Sequence, residues 1–159
     1  MPRKEKTTQT IEAPTVVIDA TNQIMGRLAS EIAKRLLQGE RVIVVNSEKA
    51  VITGNKRWII KDYKNKLQIK TASNPRRGPF QPRMPDRILR RTVRGMLPMK
   101  KAKGRNAYHR LLAYIGVPEQ YENAEKIRFD NADISRLKSR YMTLAELSKE
   151  LGWNDYAYA

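Results

Sequence analysis

The 159-residue chain contains no cysteine and a single histidine, His109. Without thiols there can be no disulfide and no thiolate metal site, and the disulfide-stapled secreted classes drop out. One imidazole with no second histidine supports neither a zinc site nor a nucleophile–base pair. His109 therefore reads as a packing or phosphate-contacting residue. Long apolar runs are also missing: none reaches the ~18 residues of a membrane span. The opening stretch MPRKEKTTQTIEAPT lacks an apolar h-region and does not read as a signal peptide. A soluble intracellular protein is the expectation. Neither GxGxxG nor GxxxxGK[ST] occurs, and Thr53-Gly-Asn-Lys56 has one glycine where a phosphate cradle needs several. No pair of carboxylates of catalytic type can be picked out. Asp19 closes the first apolar run, where an α/β enzyme often keeps a functional group, but a structural turn role is the stronger reading. These absences predict no enzymatic activity, no metal, no nucleotide cofactor and no small-molecule substrate.

Acids are scarce as well, 16 against 32 lysines and arginines, for a net charge of +16. The imbalance is local. Residues 76–110 hold twelve cations and only one acid, Asp86, which is +11 of the total, whereas residues 111–159 are net −2. Such a block repels itself and gains nothing from a folded monomer alone. Opposite a polyanion, each cation set against a phosphate releases a condensed counterion. A membrane surface would attract the same charge, but the basic helix carries no Trp or Phe on its apolar face.

The block is ordered along the chain. Pro79, Pro82 and Pro85 keep its front half extended, because proline fixes φ and biases its predecessor away from the helical region. Pro85 then suits the first turn of a helix. On a 3.6-residue wheel Leu89, Val93, Met96 and Leu97 share one face, Arg87, Arg91 and Arg94 lie opposite, and Arg90 is at the edge. Lys100, Lys101, Lys103 and Arg105 read as a flexible basic loop after Pro98, with a short helix over 105–110. Phe80 is the one aromatic of this stretch, a candidate for stacking on an exposed base and equally for anchoring the loop.

The rest reads as a scaffold of one domain. Thr15–Asp19 and Arg41–Asn46 are short, β-branched runs of buried-strand type. Between them Met25, Leu28, Ala29, Ile32, Ala33 and Leu36 mark a helix, with Gly39 as its stop. Strand, helix and strand at this spacing form a βαβ unit with parallel strands. Residues 47–53 fit either a third strand or a helical turn. Asn55 to Leu67 read as a helix whose Lys56, Arg57, Lys61, Lys64 and Lys66 form a second basic surface. Gly26-Arg27 opens the first helix, where a phosphate could sit. Leu111–Ile115 reads as another buried strand. In the final segment Thr143-Leu-Ala-Glu146 matches a capping box, Leu144, Leu147 and Leu151 give an apolar stripe, and Trp153 is expected to pack this appendage on the body. Residues 1–14 read as a tail, 15–118 as the α/β domain and 119–159 as an extension.

Three blocks in order, VIDA with MGRLASEIAKRLLQGE, then VIVVNSEKAVITGNK, then RRTVRGMLPMKKAKGRNAYHRLLAYIG, resemble the L-thirteen family of universal large-subunit ribosomal proteins. The likeness runs from about Val16 to Val117, and Val93-Arg-Gly-Met-Leu-Pro98 is its most specific part. Asn74–Pro79 and Leu147–Trp153 resemble the archaeal and eukaryotic branch, and the missing His-rich ending after Gly116 points to an archaeal type. The resemblance implies a three-layer α/β/α fold around a four-stranded parallel sheet of order 3-2-1-4, carrying the basic extended arm and a C-terminal helical appendage. It implies no enzymatic activity, a structural role in the large ribosomal subunit, binding to large-subunit rRNA early in assembly, and neighbouring ribosomal proteins as further partners. Arg94, Gly95 and Arg105 are the positions it supports directly. Charge and helical geometry add Arg27, Lys56, Arg57, Arg76, Arg77, Arg83, Arg87, Arg90, Arg91, Lys100, Lys101, Lys103, His109 and Arg110 as candidate RNA contacts. Specificity should come from RNA shape, since no RNP-like run, zinc-finger spacing or helix-turn-helix is present. A general nucleic-acid-binding or DNA-compacting protein is the alternative.

Overall fold

A computed structural model describes residues 14–154. Its centre is the expected βαβ unit. Strand β1 (Thr15–Asp19) leads into helix α1 (Met25–Gln38), and β2 (Arg41–Val45) returns parallel to β1 with Val17 opposite Ile43. Helix α1 buries Leu28, Ala29, Ile32, Ala33 and Leu36, five of the six stripe positions in the sequence. It ends at Gly39, whose φ of 107° is open to glycine at little cost and lets its N–H reach the carbonyls of Arg35 and Leu36.

Residues 47–53 contain both readings in succession. A 3-10 turn over Ser47–Lys49 is followed by β3 (Val51–Thr53), which leaves the central sheet. Helix α2 (Lys56–Gln68) starts at Asn55, whose side chain accepts from the Arg57 N–H. After the arm come α3 (Pro85–Met96), α4 (Ala102–His109) and β4 (Leu111–Ala113). The remaining elements are β5 (Lys126–Ile127), β6 (Tyr141–Thr143) and α5 (Leu144–Glu150).

The central sheet runs β4-β2-β1-β5, all parallel, and β3 pairs with β6 in a separate antiparallel ribbon. Numbered over all strands, the order differs from 3-2-1-4 because β3 sits outside the sheet. Counting only the four sheet strands, it is 3-2-1-4. The alternation of a strand sorts the side chains to two faces. Ile18, Val42, Val44 and Leu111 turn towards the helices and join Leu28, Ile32, Leu36, Leu89 and Val93 in the main core. Val17, Ile43 and Val45 turn the other way. Burial on both faces explains why β1 and β2 read as continuous apolar runs. The third layer is thin. Among the described residues Leu112 of β4 extends the far face, Tyr114, Tyr121 and Ala124 pack against it with a 3-10 turn over Glu119–Tyr121, and no α-helical residue belongs to this cluster.

The last third of the chain shares this core. Strand β5 completes the sheet beside β1, Ile24 donates to the Ala132 carbonyl, and Ala132, Met142, Leu144, Leu147 and Leu151 belong to the main cluster. Trp153 is buried at the end of α5 beside this cluster. Thr143 caps α5 by accepting from the Glu146 N–H at 3.2 Å, the bond a capping box predicts.

Candidate nucleic-acid interface

The arm begins with a 3-10 turn, Pro75–Arg77, that folds back on itself. A Cβ on Gly78 would lie 3.2 Å from both the Pro75 carbonyl oxygen and the Thr71 nitrogen, so the turn is tight and glycine fits it best. Residues 79–84 then run without helix or strand to Met84, and Pro85 opens α3 at its first helical position. The arm is tied to the helix by Arg91, whose Nη1 donates to the Phe80 carbonyl at 3.3 Å.

Helix α3 separates apolar and cationic faces. Ile88, Leu89, Val93 and Leu97 are buried, and Arg87, Arg91 and Arg94 are exposed. Met96 departs from the expected apolar face and is 42% exposed. It is the last helical residue, and beside it Leu97, the first residue after the helix, turns into the core instead, while Ile88 widens the buried stripe. Arg90 is half-buried, with its guanidinium 5.4 Å from the centre of the Tyr108 ring. This stacking places a cation over the negative face of the aromatic system.

The stretch after Pro98 is not a flexible loop. Met99 donates to the Leu97 carbonyl, Lys101 to that of Pro98, and α4 begins at Ala102, so Lys103 and Arg105 are helical. The cause is Gly104: a Cβ there would stand 2.2 Å from the Pro98 carbonyl oxygen. Only glycine lets the first turn of α4 lie against the preceding backbone. Lys100, Lys101, Lys103 and Arg105 are all exposed on this compact turn and helix.

Two grooves result. One, of about 510 Å³, is lined by Phe80, Gln81, Pro82, Arg87, Arg90, Arg91, Arg94 and Tyr108. The other, of about 630 Å³, is lined by Arg91, Arg94, Gly95, Leu97, Pro98, Met99, Lys100 and Lys101. Arg91 and Arg94 belong to both, and no carboxylate lines either. The field over this face is therefore one of unopposed positive charge in shallow clefts, where low-dielectric walls concentrate it.

The other sequence candidates lie elsewhere. Arg76 and Arg77 are exposed at the start of the arm. Arg83 is exposed, and its Nη1 would lie 3.7 Å from a Cβ on Gly152. Arg27 is exposed in the first turn of α1 and donates to the Asn131 carbonyl at 3.1 Å. Lys56 pairs with Glu146 at 2.7 Å, and Lys64 with Glu150 at 3.3 Å, so α5 neutralises part of the basic surface of α2. His109 is exposed at the end of α4. Arg110 is half-buried, and its guanidinium donates to the carbonyls of Leu36 at 2.6 Å and Glu40 at 3.3 Å. That bond set closes the C-terminus of α1, a position where orphan carbonyls and the helix dipole both favour a cation.

Sequence reasoning passed over Lys138 and Arg140. They lie in a net-acidic segment, yet they join Asn55, Lys56 and Arg57 around a cleft of about 770 Å³. The antiparallel β3–β6 pairing brings them there, extended by the bond from the Gly54 N–H to the Arg140 carbonyl, and no local pattern announces it.

Asp19 has the structural role. Its Oδ1 accepts from the Thr21 N–H at 3.1 Å, the Thr21 hydroxyl at 2.7 Å and Asn46 Nδ2 at 3.0 Å. Partial burial raises the carboxyl pKa, but the bonds from Asn46 and Thr21 outweigh it and hold the group below its ordinary 3.8. Among the described residues no group of three or more His, Cys, Asp or Glu could hold a metal, and no helix is long and apolar enough to cross a membrane.

Fold and face together define a class: a small α/β scaffold that presents a one-sided, acid-free row of guanidiniums. Comparison with known proteins names the family. The profile described as Ribosomal protein L13 matches residues 14–120. A large ribosomal subunit protein uL13 from Methanocaldococcus jannaschii is 54% identical over 137 residues, covering 86% of this chain and 96% of its own. The uL13 of Sulfolobus acidocaldarius is 51% identical over 138 residues, covering 86% and 93%. That of Saccharolobus solfataricus is 46% identical over 145 residues, covering 91% and 97%. The chain belongs to the ribosomal protein L13 family, and these relatives carry the name large ribosomal subunit protein uL13.

Proposed function

We propose that this protein is a structural constituent of the large ribosomal subunit, located with the ribosome in the cytoplasm, and that it binds and stabilises folded large-subunit rRNA from an early stage of assembly. The observation that carries the reading is the row of Arg87, Arg91 and Arg94 along α3, exposed beside two clefts that no carboxylate lines. The relatives named as large ribosomal subunit proteins support the same assignment.

The α/β body acts as a rigid base. Arg76, Arg77 and Arg83 reach along the arm between strands of RNA backbone. The α3 row and the Lys100, Lys101, Lys103 and Arg105 group screen the mutual repulsion of phosphates where rRNA helices meet. Arginine's planar fork suits bidentate phosphate contact, whereas lysine serves as a point charge. Residues 15–118 carry most of the RNA-binding surface, and the part of the net-acidic last third that lies away from Lys138 and Arg140 meets neighbouring proteins of the subunit.

Sedimentation of a native cell extract tests this directly. The expected result is stoichiometric recovery of the protein with the large subunit, retained through a moderate salt wash. Recovery with chromosomal DNA, or as free protein, overturns the proposal.

A further inference from the structure

Phe80 is the most exposed large apolar side chain of the arm, with 73% of its surface accessible. An apolar ring of this size gains about 1.5–3 kcal/mol from full burial, so its position outside the core needs a reason. Its backbone is not free to swing. Pro79 and Pro82 restrict the chain on either side, and the Phe80 carbonyl is held by Arg91. The ring is therefore presented at the lip of a groove and does not anchor the loop in the body.

The groove beside it has aromatic and cationic walls together. Arg87, Arg91 and Arg94 line it with Tyr108, on whose ring Arg90 is stacked. Its volume of about 510 Å³ falls within the roughly 300–1,000 Å³ of small-ligand sites. An exposed π-face flanked by guanidiniums is the combination that holds single-stranded nucleic acid, because every base offers a face to stack and every nucleotide a phosphate. A duplex keeps its bases stacked inside and would reach only the arginines. A neighbouring protein's apolar side chain could cover the ring but would leave the surrounding cations unopposed.

We propose that this groove seats one unpaired nucleotide of RNA, with its base on Phe80 and its phosphate on Arg87, Arg91 and Arg94. This inference rests on the rRNA-binding reading, and its test separates the two. Full-length protein is titrated with a ten-nucleotide oligoadenylate carrying 2-aminopurine, whose fluorescence falls on stacking, and with an RNA duplex of the same length. Phe80→Ala is expected to weaken single-strand binding about tenfold and to abolish the quenching, following the usual worth of base–aromatic stacking. Duplex affinity stays unchanged, and Phe80→Tyr keeps both signals. Single-strand affinity and quenching that survive Phe80→Ala overturn the inference, as does an equal loss on both probes, since the ring would then act through the arm's conformation. Either result leaves rRNA binding standing if Arg91→Ala with Arg94→Ala still weakens both probes. Failure of the unaltered protein to bind the single strand overturns the inference alone, whereas absence of the protein from the large subunit on sedimentation overturns both readings.

Discussion

Gly104→Ala tests whether the basic turn is held by the close approach of two backbones. The added Cβ would stand 2.2 Å from the Pro98 carbonyl oxygen, 2.5 Å from its carbon and 3.1 Å from the Met99 nitrogen. Relief requires α4 to move by about 1 Å, because backbone atoms, unlike a side-chain tip, cannot rotate away. The same Pro98 oxygen accepts from the Lys101 N–H at 3.0 Å, so the movement strains the bond that closes the turn. Alanine in place of glycine in a helix gains about 1 kcal/mol. Overpacking costs about 1–3 kcal/mol, and a weakened backbone bond a further ~1 kcal/mol. The net is a destabilisation of about 1–3 kcal/mol, or a fall in Tm of several degrees at roughly 2–4 °C per kcal/mol for a chain of this size. Gly95→Ala is the matched control. Nothing lies within 4 Å of a Cβ there, and the residue is helical with no positive φ, so this change should raise stability by about 0.5 kcal/mol. Thermal unfolding followed by circular dichroism reads both. If Gly104→Ala melts at or above the unaltered protein, the packing of α4 on Pro98 is not obligatory and the account of the turn is wrong.

Other consequences can be measured on the same material. If about eight of the interface cations touch phosphate, log affinity for rRNA falls against log salt with a slope of roughly −6 to −7, and Arg91→Ala with Arg94→Ala flattens it by about 1.5; an unchanged slope would mean that the row faces solvent in the complex. Arg110→Ala should cost about 1–2 kcal/mol of stability by uncapping α1, with little change in that salt slope, and denaturant titration beside the binding curve separates the two effects. For Asp19 the folded pKa is depressed, so its contribution is present above the ordinary value of 3.8 and is lost as pH falls through the folded pKa. The Tm difference between the unaltered protein and Asp19→Asn should therefore shrink on acidification below about pH 4, and a difference that grows instead would contradict the hydrogen-bond account.

The elements that the sequence by itself determined are those whose signal is local. The apolar runs of β1 and β2, the stripe of α1 with its stop at Gly39, the start of α3 at Pro85 and the Thr143 cap each depend on side chains a few residues apart. A helical or extended period writes such features into the chain directly. So is the separation of Arg87, Arg91 and Arg94 from Leu89 and Val93. Tertiary structure decided whatever depends on a distant partner. Two residues, Lys126 and Ile127, have no strand pattern and become β5 because β1 offers them an edge. Arg91 and Arg110 are the same residue type in one basic block, yet one spans an open groove and the other closes α1, because only the folded chain brings Leu36 and Glu40 to Arg110. Lys103 reads as loop until Pro98 is seen against Gly104, and Lys138 and Arg140 read as part of an acidic segment until β6 is paired with β3. A pattern of neighbours sets which face a side chain takes on its own element. Which surface that face then meets is fixed only when long-range packing and hydrogen bonds are made.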